Sequence, residues 1–333
     1  MTPSSWTPTD LLQLSGSYWA TCALHAGVKL ELFTPLADSA RSAKELAAMR
    51  QADPRGLAML LDALTALALL EKQDDLYRAV PFAAQYLSRS SADYLGHIIM
   101  HHHHLMSGWS RLDQAVASGA PVVRKQVSRT DDATQRESFL MGMFNLASLM
   151  APKIVPQIDL NGRKRLLDLG GGPGTYAIHF CKQNPQLDGV VYDLPTTRGF
   201  AEKTISRFEL ESRIGFHEGD YHQDPVPTGF DVAWLSHVLH ADGPQACAVI
   251  LRKAVEALEP GGLLLVQEFI LDDRKDGPLF PALFSLNMLI GTEYGQAYAE
   301  GELAAMMTEA GLRDIKRLAV DLPNGAGIMV GTV

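Results

Sequence analysis

The stretch DLGGGPG, residues 168–174, sets Gly170, Gly172 and Gly174 at alternate positions, just after an acid, Asp168. Glycine lets a backbone approach a ligand where a Cβ would obstruct it. A dinucleotide fingerprint would read G-x-G-x-x-G, and Thr175 holds the place of its third glycine here. The carboxylate of Asp168 would repel a pyrophosphate but attract a ligand carrying an ammonium and a sulfonium. S-adenosylmethionine is such a ligand. Two further acids repeat the pattern. Asp193, followed by Leu194, ends VVYDLP, close to where an acid would bind ribose hydroxyls. Asp220 and Tyr221 end EGDY, where a carboxylate would accept from an adenine amino group and a ring would pack on its plane. With Ser236, at the end of FDVAWLS, these residues form the expected cofactor set.

Transfer of a methyl from a sulfonium is an in-line displacement, so a protein must align the acceptor and, for an oxygen acceptor, remove a proton. Histidine suits that task, with an ordinary pKa near 6.5. The segment WLSHVLHADGP supplies His237 and His240. A second group, His97 and His101 to His104 in GHIIMHHHHLMSGW, invites a metal reading. Successive helical residues step about 100° around the axis, so four adjacent histidines point in four directions and cannot share one ion. Only His97, His101 and His104 share a face, while His102 falls within an apolar stripe of Ile98, Leu105, Trp109 and Leu112. No metal site is expected.

The elements that must hold these residues differ between the two halves of the chain. Residues 8–120 carry apolar positions at helical spacing, with Asp53-Pro54 as a helix start. LLEKQDDLYRAV reads as a short hairpin turning at Asp74-Asp75. Helices plus a small wing predict a winged-helix-like fold. Residues 118–139 read as a polar, irregular connector. From Arg165 onward, RLLDLGGG, LDGVVYDLP, IGFHEGDY, FDVAWLSHVL, GLLLVQEFIL and GIMVGTV are short apolar runs alternating with helical stretches. They predict an α/β fold with a doubly wound, mostly parallel sheet covered on both faces. The glycine loop then sits at the carboxyl end of a strand, where such sheets bind ligands.

The 333 residues suffice for two domains, and a mean hydropathy of -0.01 is that of a globular chain. A net charge of -9 argues against nucleic acid as a partner. No apolar run reaches the roughly 18 residues of a membrane span, and the first residues lack a signal-peptide pattern. Cys22, Cys181 and Cys247 fit no zinc or disulfide spacing, which points to a reducing cytoplasm.

The segments DLGGGPG and LEPGGLLLVQE, with the helical half before them, make the chain similar to class I S-adenosylmethionine-dependent methyltransferases. Nearly the whole length resembles the small-molecule O-methyltransferases typified by caffeic acid, hydroxyindole and bacterial antibiotic O-methyltransferases. The resemblance implies a Rossmann-like catalytic domain over 156–333, a winged-helix-like dimerisation domain over 1–105 and a helical connector over 106–155 lining the acceptor pocket. It implies a homodimer and a small aromatic or polyketide-like acceptor. Aligning VLH with the family's His-Asp-Trp motif makes His240 the general base and Glu268 its orienting acid. The expected pocket residues are His101, His104, Trp109, Met143, Phe144 and Met288. The chain departs from the family twice: Ala241 replaces the motif's Asp, with Asp242 one place late, and Ala297 and Tyr298 stand where a Glu-Arg pair is usual. Glu293 and Glu300 are candidate substitutes for that glutamate. The departures keep a second reading open, carbon methylation or metal-assisted chemistry on the same fold. A non-catalytic regulator is a third.

Overall fold

The computed structural model describes residues 6–123 and 132–333, and the chain divides between His104 and Leu105 into two compact units. The first unit contains α1 (Pro8–Gly16), α2 (Tyr18–Lys29), α3 (Phe33–Asp38), β1 (Arg41–Ser42), α4 (Ala43–Arg50) and α5 (Pro54–Ala66). After these come β2 (Leu70–Gln73), β3 (Leu76–Ala79), α6 (Pro81–Leu87) and most of α7 (Gly96–Trp109). Asp53 caps α5 by accepting from the Gly56 N–H at 2.8 Å, with Pro54 in the first turn as the sequence predicts. The hairpin forms β2 and β3, with Asp74 at φ 53° in its turn, and β1 joins to give the order β1-β3-β2. Val28, Leu32, Phe33, Leu36, Leu61 and Leu64 fill the core of this unit.

On α7 the histidines separate by environment. His101 is buried, whereas His102 is exposed and does not belong to the apolar stripe expected of it. Burial, then the neighbouring His102 and His104, pull the His101 pKa down to about 4. The His103 ring meets His25 edge-on at 5.5 Å, and its Nε2 lies 3.1 Å from Lys29 Nζ.

The second unit takes in the end of α7, α8 (Leu112–Ser118) and α9 (Ala133–Ile154), and then the sheet. Its strands are β4 (Arg165–Leu169), β5 (Asp188–Asp193), β6 (Ile214–Glu218), β7 (Phe230–Ser236) and β8 (Leu258–Leu271). The short β9 (Tyr298–Ala299), β10 (Arg313–Arg317) and β11 (Ala326–Thr332) complete it. Between them run α10 (Thr175–Gln183), α11 (Arg198–Arg207), α12 (Pro244–Glu256), α13 (Leu279–Gly291) and α14 (Glu300–Glu309). The strand order is β10-β11-β8-β7-β4-β5-β6. Strands β4 to β8 pair in parallel, but β11 runs antiparallel to both β8 and β10, so the sheet is mixed at one end. The sequence reading missed β10 because RDIKR, mostly exposed at the sheet edge, has no apolar run to mark it.

Side chains along each strand alternate between two cores. Leu166, Val232 and Trp234 face α9, α10 and α11, while Leu167, Ala233 and Leu235 face α12 and α14. The polar connector is shorter than its composition implies. Residues 124–131 lie outside the described residues, and α9 starts at Ala133, where the Asp132 carboxylate accepts from the N–H groups of Thr134 and Gln135. One helical stretch passes a length-and-composition test for a membrane span. Residues Ala133–Gln157 are long and apolar enough to cross a bilayer, but nearly half of that stretch is buried, with Ala151, Ile154 and Val155 in the core.

Candidate active site

Strand β4 connects onward to β5 on one side and has β7 on the other, so the chain reverses direction of winding beside it. Open sheets bind ligands at that reversal, beyond the carboxyl ends of the strands. The glycine loop leaves β4 there. Gly170, Gly172 and Gly174 have φ of 69°, 55° and 76°, a region that favours glycine. Open space lies where a Cβ of Gly172 would point, so a ligand has room against the loop. Gly171, which the spacing argument passed over, is constrained differently. A Cβ there would stand 2.6 Å from the carboxyl carbon of Asp168. Only a loop without that side chain closes over the acid.

Asp168 itself is 1% exposed, and its Oδ2 accepts from the Ala177 N–H at 3.2 Å. Its carboxyl braces the loop against the first turn of α10 instead of opening toward a ligand as the sequence suggested. Burial pushes its pKa up to about 7. Asp193, expected from its place after β5 to meet ribose hydroxyls, bonds to the glycine loop itself. Its Oδ2 accepts from Gly172 N–H at 2.8 Å, and its Oδ1 accepts from Leu194 N–H and the Thr197 hydroxyl. Burial raises its pKa, opposed by these hydrogen bonds. Asp220 follows β6, and its Oδ1 accepts from His222 N–H. The Tyr221 ring stands beside Gly170, 3.5 Å from that residue's Cβ position. Ser236, at the end of β7, donates to Gln267 Oε1 at 3.3 Å. The loop, Asp193, Leu194, Asp220 and Tyr221 thus gather at the ends of β4, β5 and β6, beside the open space at Gly172.

The histidines lie across the reversal, past β7. Glu268, on β8 and 1% exposed, is the centre of the arrangement. Its Oε1 accepts from the backbone N–H groups of Leu239 and His240 at 2.9 and 3.3 Å, and its Oε2 lies 2.8 Å from His240 Nδ1. His237 Nδ1 is 3.6 Å from the same oxygen. Burial alone would raise the carboxyl pKa, but attraction to His240 and His237 outweighs it and holds Glu268 below the usual carboxylate range. The His240 side chain is 14% exposed, which leaves its far edge within reach of a small molecule. Aromatic rings surround it: Phe284 meets it edge-on at 4.8 Å, and Phe269 and Phe280 pack behind Phe284. The sequence reading missed these three phenylalanines, whose only signal was their crowding in FILDDRKDGPLFPALF.

The unusual loop supports His240 from behind. Gln296 N–H donates to the His240 carbonyl at 2.9 Å, and a Cβ on Gly295 would collide with that carbonyl at 2.5 Å. Tyr298 donates its hydroxyl to the Asp242 carbonyl, and Cys247 Sγ lies 3.2 Å from the Leu239 carbonyl. Ala297 and Tyr298 are therefore core residues bracing the turn of His240. Neither candidate glutamate takes their place beside the base. Glu300 is paired with Arg317 at 3.0 Å, and Glu293 is exposed. Asp242, one position late, faces His222 at 3.5 Å.

Of the expected pocket residues, Trp109 reaches α13 and Met288 lies on it. Trp109 Nε1 donates to Asn287 at 2.9 Å, and Met288 lies one turn beyond Phe284. Phe144 instead lies under the Arg207 guanidinium, 5.9 Å from its ring, and Met143 is partly buried on α9. His101 and His104 belong to the first unit.

An O-methyltransferase domain model matches residues 109–313, and an O-methyltransferase dimerisation domain model matches residues 12–89. The chain belongs to the O-methyltransferase family. It is 34% identical to 3-hydroxy-5-methyl-1-naphthoate 3-O-methyltransferase of Streptomyces sahachiroi, over 99% of this chain and 96% of that one. It is 31% identical to the tetracenomycin polyketide synthesis 8-O-methyl transferase of Streptomyces glaucescens, over 98% of each. Human N-acetylserotonin methyltransferase, solved with S-adenosylmethionine, superposes with a TM-score of 0.85 at 26% identity, over 100% of this chain and 99% of that one. This methyltransferase uses S-adenosylmethionine, and its fold is the family's: a helical dimerisation domain before a mixed α/β catalytic domain.

Proposed function

We propose that the methyltransferase moves a methyl group to a hydroxyl of a small aromatic or polyketide-like molecule, with His240 as general base and Glu268 as its orienting acid. The contact of 2.8 Å between His240 Nδ1 and Glu268 carries this reading. Engaging Nδ1 with a carboxylate fixes the proton on that nitrogen and leaves Nε2 with a lone pair for the acceptor hydroxyl. When bound, S-adenosylmethionine supplies the electrophilic methyl of its sulfonium. The glycine loop, Asp193, Leu194, Asp220, Tyr221 and Ser236 hold it, and Asp168 keeps the loop in shape. Phe284, Phe280, Phe269, Met288 and Trp109 form an apolar wall that excludes water and orients a flat acceptor. The naphthoate and tetracenomycin substrates named for the two relatives are of this class. The test is transfer of labelled methyl to a panel of hydroxylated naphthalenes, indoles and polyketide aromatics. Label appearing on carbon or nitrogen of these acceptors, and never on oxygen, would refute oxygen methylation.

We also propose that the enzyme works as a cytoplasmic homodimer joined through its first unit. The run Trp6, just before α1, Leu11, Leu12 and Leu14 on α1, and Tyr18 and Trp19 at the start of α2 is exposed, more apolar surface than a lone helix leaves in water. The dimerisation domain match supports the same reading, and the free thiols of Cys22, Cys181 and Cys247 suit a reducing compartment. Sedimentation of the full chain at the mass of one 36.3 kDa protomer would refute the dimer. Recovery of the native protein outside the cell would refute the location.

A further inference from the structure

Glu268 is shared by two histidines, although the proposed base chemistry needs only one. His237 Nδ1 is buried and has no hydrogen-bond partner among the described residues, and it stands 3.6 Å from the oxygen that holds His240. Its backbone has φ 57°, in the left-handed region that a residue with a Cβ enters only when its surroundings impose it. The backbone is fixed there by the His237 N–H donating to the Gln267 carbonyl at 2.8 Å, and the ring by packing 4.3 Å from Phe269. The result is a nitrogen aimed at an oxygen that already has another histidine beside it. The donor atoms of His237, His240 and Glu268 all lie within 4.8 Å of one another. Among the described residues no other trio of such side chains is so close.

Two imidazole nitrogens and one carboxylate oxygen on one side of a point are a familiar donor set for Zn²⁺ and its neighbours, which bind such ligands at about 2.0–2.2 Å and leave a fourth position open. Donors seated around one ion at those lengths are roughly 3–3.5 Å apart, so the trio needs only a small closure. We propose that His237, His240 and Glu268 form an inhibitory site for a divalent transition metal of the zinc class. The inhibition rests on His240 being the base. A neutral imidazole carries one proton, which Glu268 holds on Nδ1 of His240. A metal on Nδ1 displaces that proton to Nε2, and the nitrogen facing the acceptor then has no lone pair. The ion also takes Glu268 Oε2, which had oriented the ring. Metal occupancy and proton removal from the acceptor therefore exclude each other.

The test uses the full chain stripped with a chelator and dialysed, with Co²⁺ as the spectroscopic probe and Zn²⁺ as the inhibitor. His237→Asn is the informative variant, because asparagine tolerates a positive φ yet lacks the ring nitrogen. His237→Gly is the second, and unchanged cofactor binding shows that each is folded. The expected result is one equivalent of Co²⁺ per chain, with visible bands of a low-coordinate site, and at least tenfold weaker binding in both variants. Zn²⁺ is expected to lower turnover at least tenfold, to be reversed by chelator, and to have far less effect on the variants. Absence of Co²⁺ binding, or equal binding by wild type and variants, would overturn the site. Tight, His237-dependent binding with full turnover would overturn the inhibition and, separately, the assignment of His240 Nε2 as base.

Discussion

Replacing His240 by alanine is expected to lower kcat by about a hundredfold to ten-thousandfold, the usual contribution of a positioned base. That range corresponds to roughly 3–5 kcal/mol of transition-state stabilisation at 1.36 kcal/mol per decade. Cofactor affinity should stay within about twofold, because the ring's contacts are with Glu268, His237 and Phe284 and the Glu268 bonds to the Leu239 and His240 backbone remain. The ring packs edge-on against Phe284, so truncation opens space beside the acceptor wall. His240→Gln refills that space without supplying a base, and should be equally slow. Turnover would be followed with labelled cofactor, and affinity by calorimetry with the demethylated product. Activity within tenfold of wild type in both variants would remove His240 from the role. A matched loss of turnover and cofactor binding would make it a structural residue.

The second large effect is expected from Glu268→Gln. The amide keeps the size of the side chain, and its oxygen still accepts from the Leu239 and His240 N–H groups, so the turn is retained. Its nitrogen, however, now donates toward His240 Nδ1. The histidine proton is driven to Nε2, the wrong nitrogen for removing a proton from the acceptor. Turnover should fall by at least a hundredfold while the KM for cofactor holds. Glu268→Ala differs in kind. It strands two buried N–H groups and removes the partner of His240, and stability should fall by about 3–5 kcal/mol, read by denaturant unfolding. If Glu268→Gln turns over within threefold of wild type, the carboxylate serves the turn alone and orients nothing.

The legible part of this protein was the part encoded locally. Alternating glycines after an apolar run can be little other than a strand ending in a tight, positive-φ turn, and Gly170, Gly172 and Gly174 adopt it. Acids at the ends of consecutive parallel strands are carried to one edge of the sheet by the right-handed crossovers between them. Asp193 is carried to the edge that holds the glycine loop, although its bond to Gly172 N–H is a contact that spacing alone does not specify. The pairing of His240 with Glu268 was legible only through resemblance to a family motif, since their elements are joined by pairing of β7 with β8 that no local pattern announces.

Tertiary packing decided what spacing could not. Asp168 reads as an acid that attracts a cationic ligand to the glycine loop, but closure of that loop over Gly171 turns it inward, where it braces the loop. Ala297 and Tyr298 read as a lost catalytic pair, whereas β9, laid against β8, buries them under the turn that carries His240. Glu300 reads as a replacement acid, but its helix start faces Arg317 across the surface. The sequence by itself determined the fold class, the glycine loop and the identity of the base candidates, because these depend on backbone geometry and short-range order. Which of those side chains meet, and that two histidines converge on one buried carboxylate, was decided only by the tertiary structure. Their distances depend on the register of separate strands and on a strained turn at His237, neither of which is written in neighbouring residues.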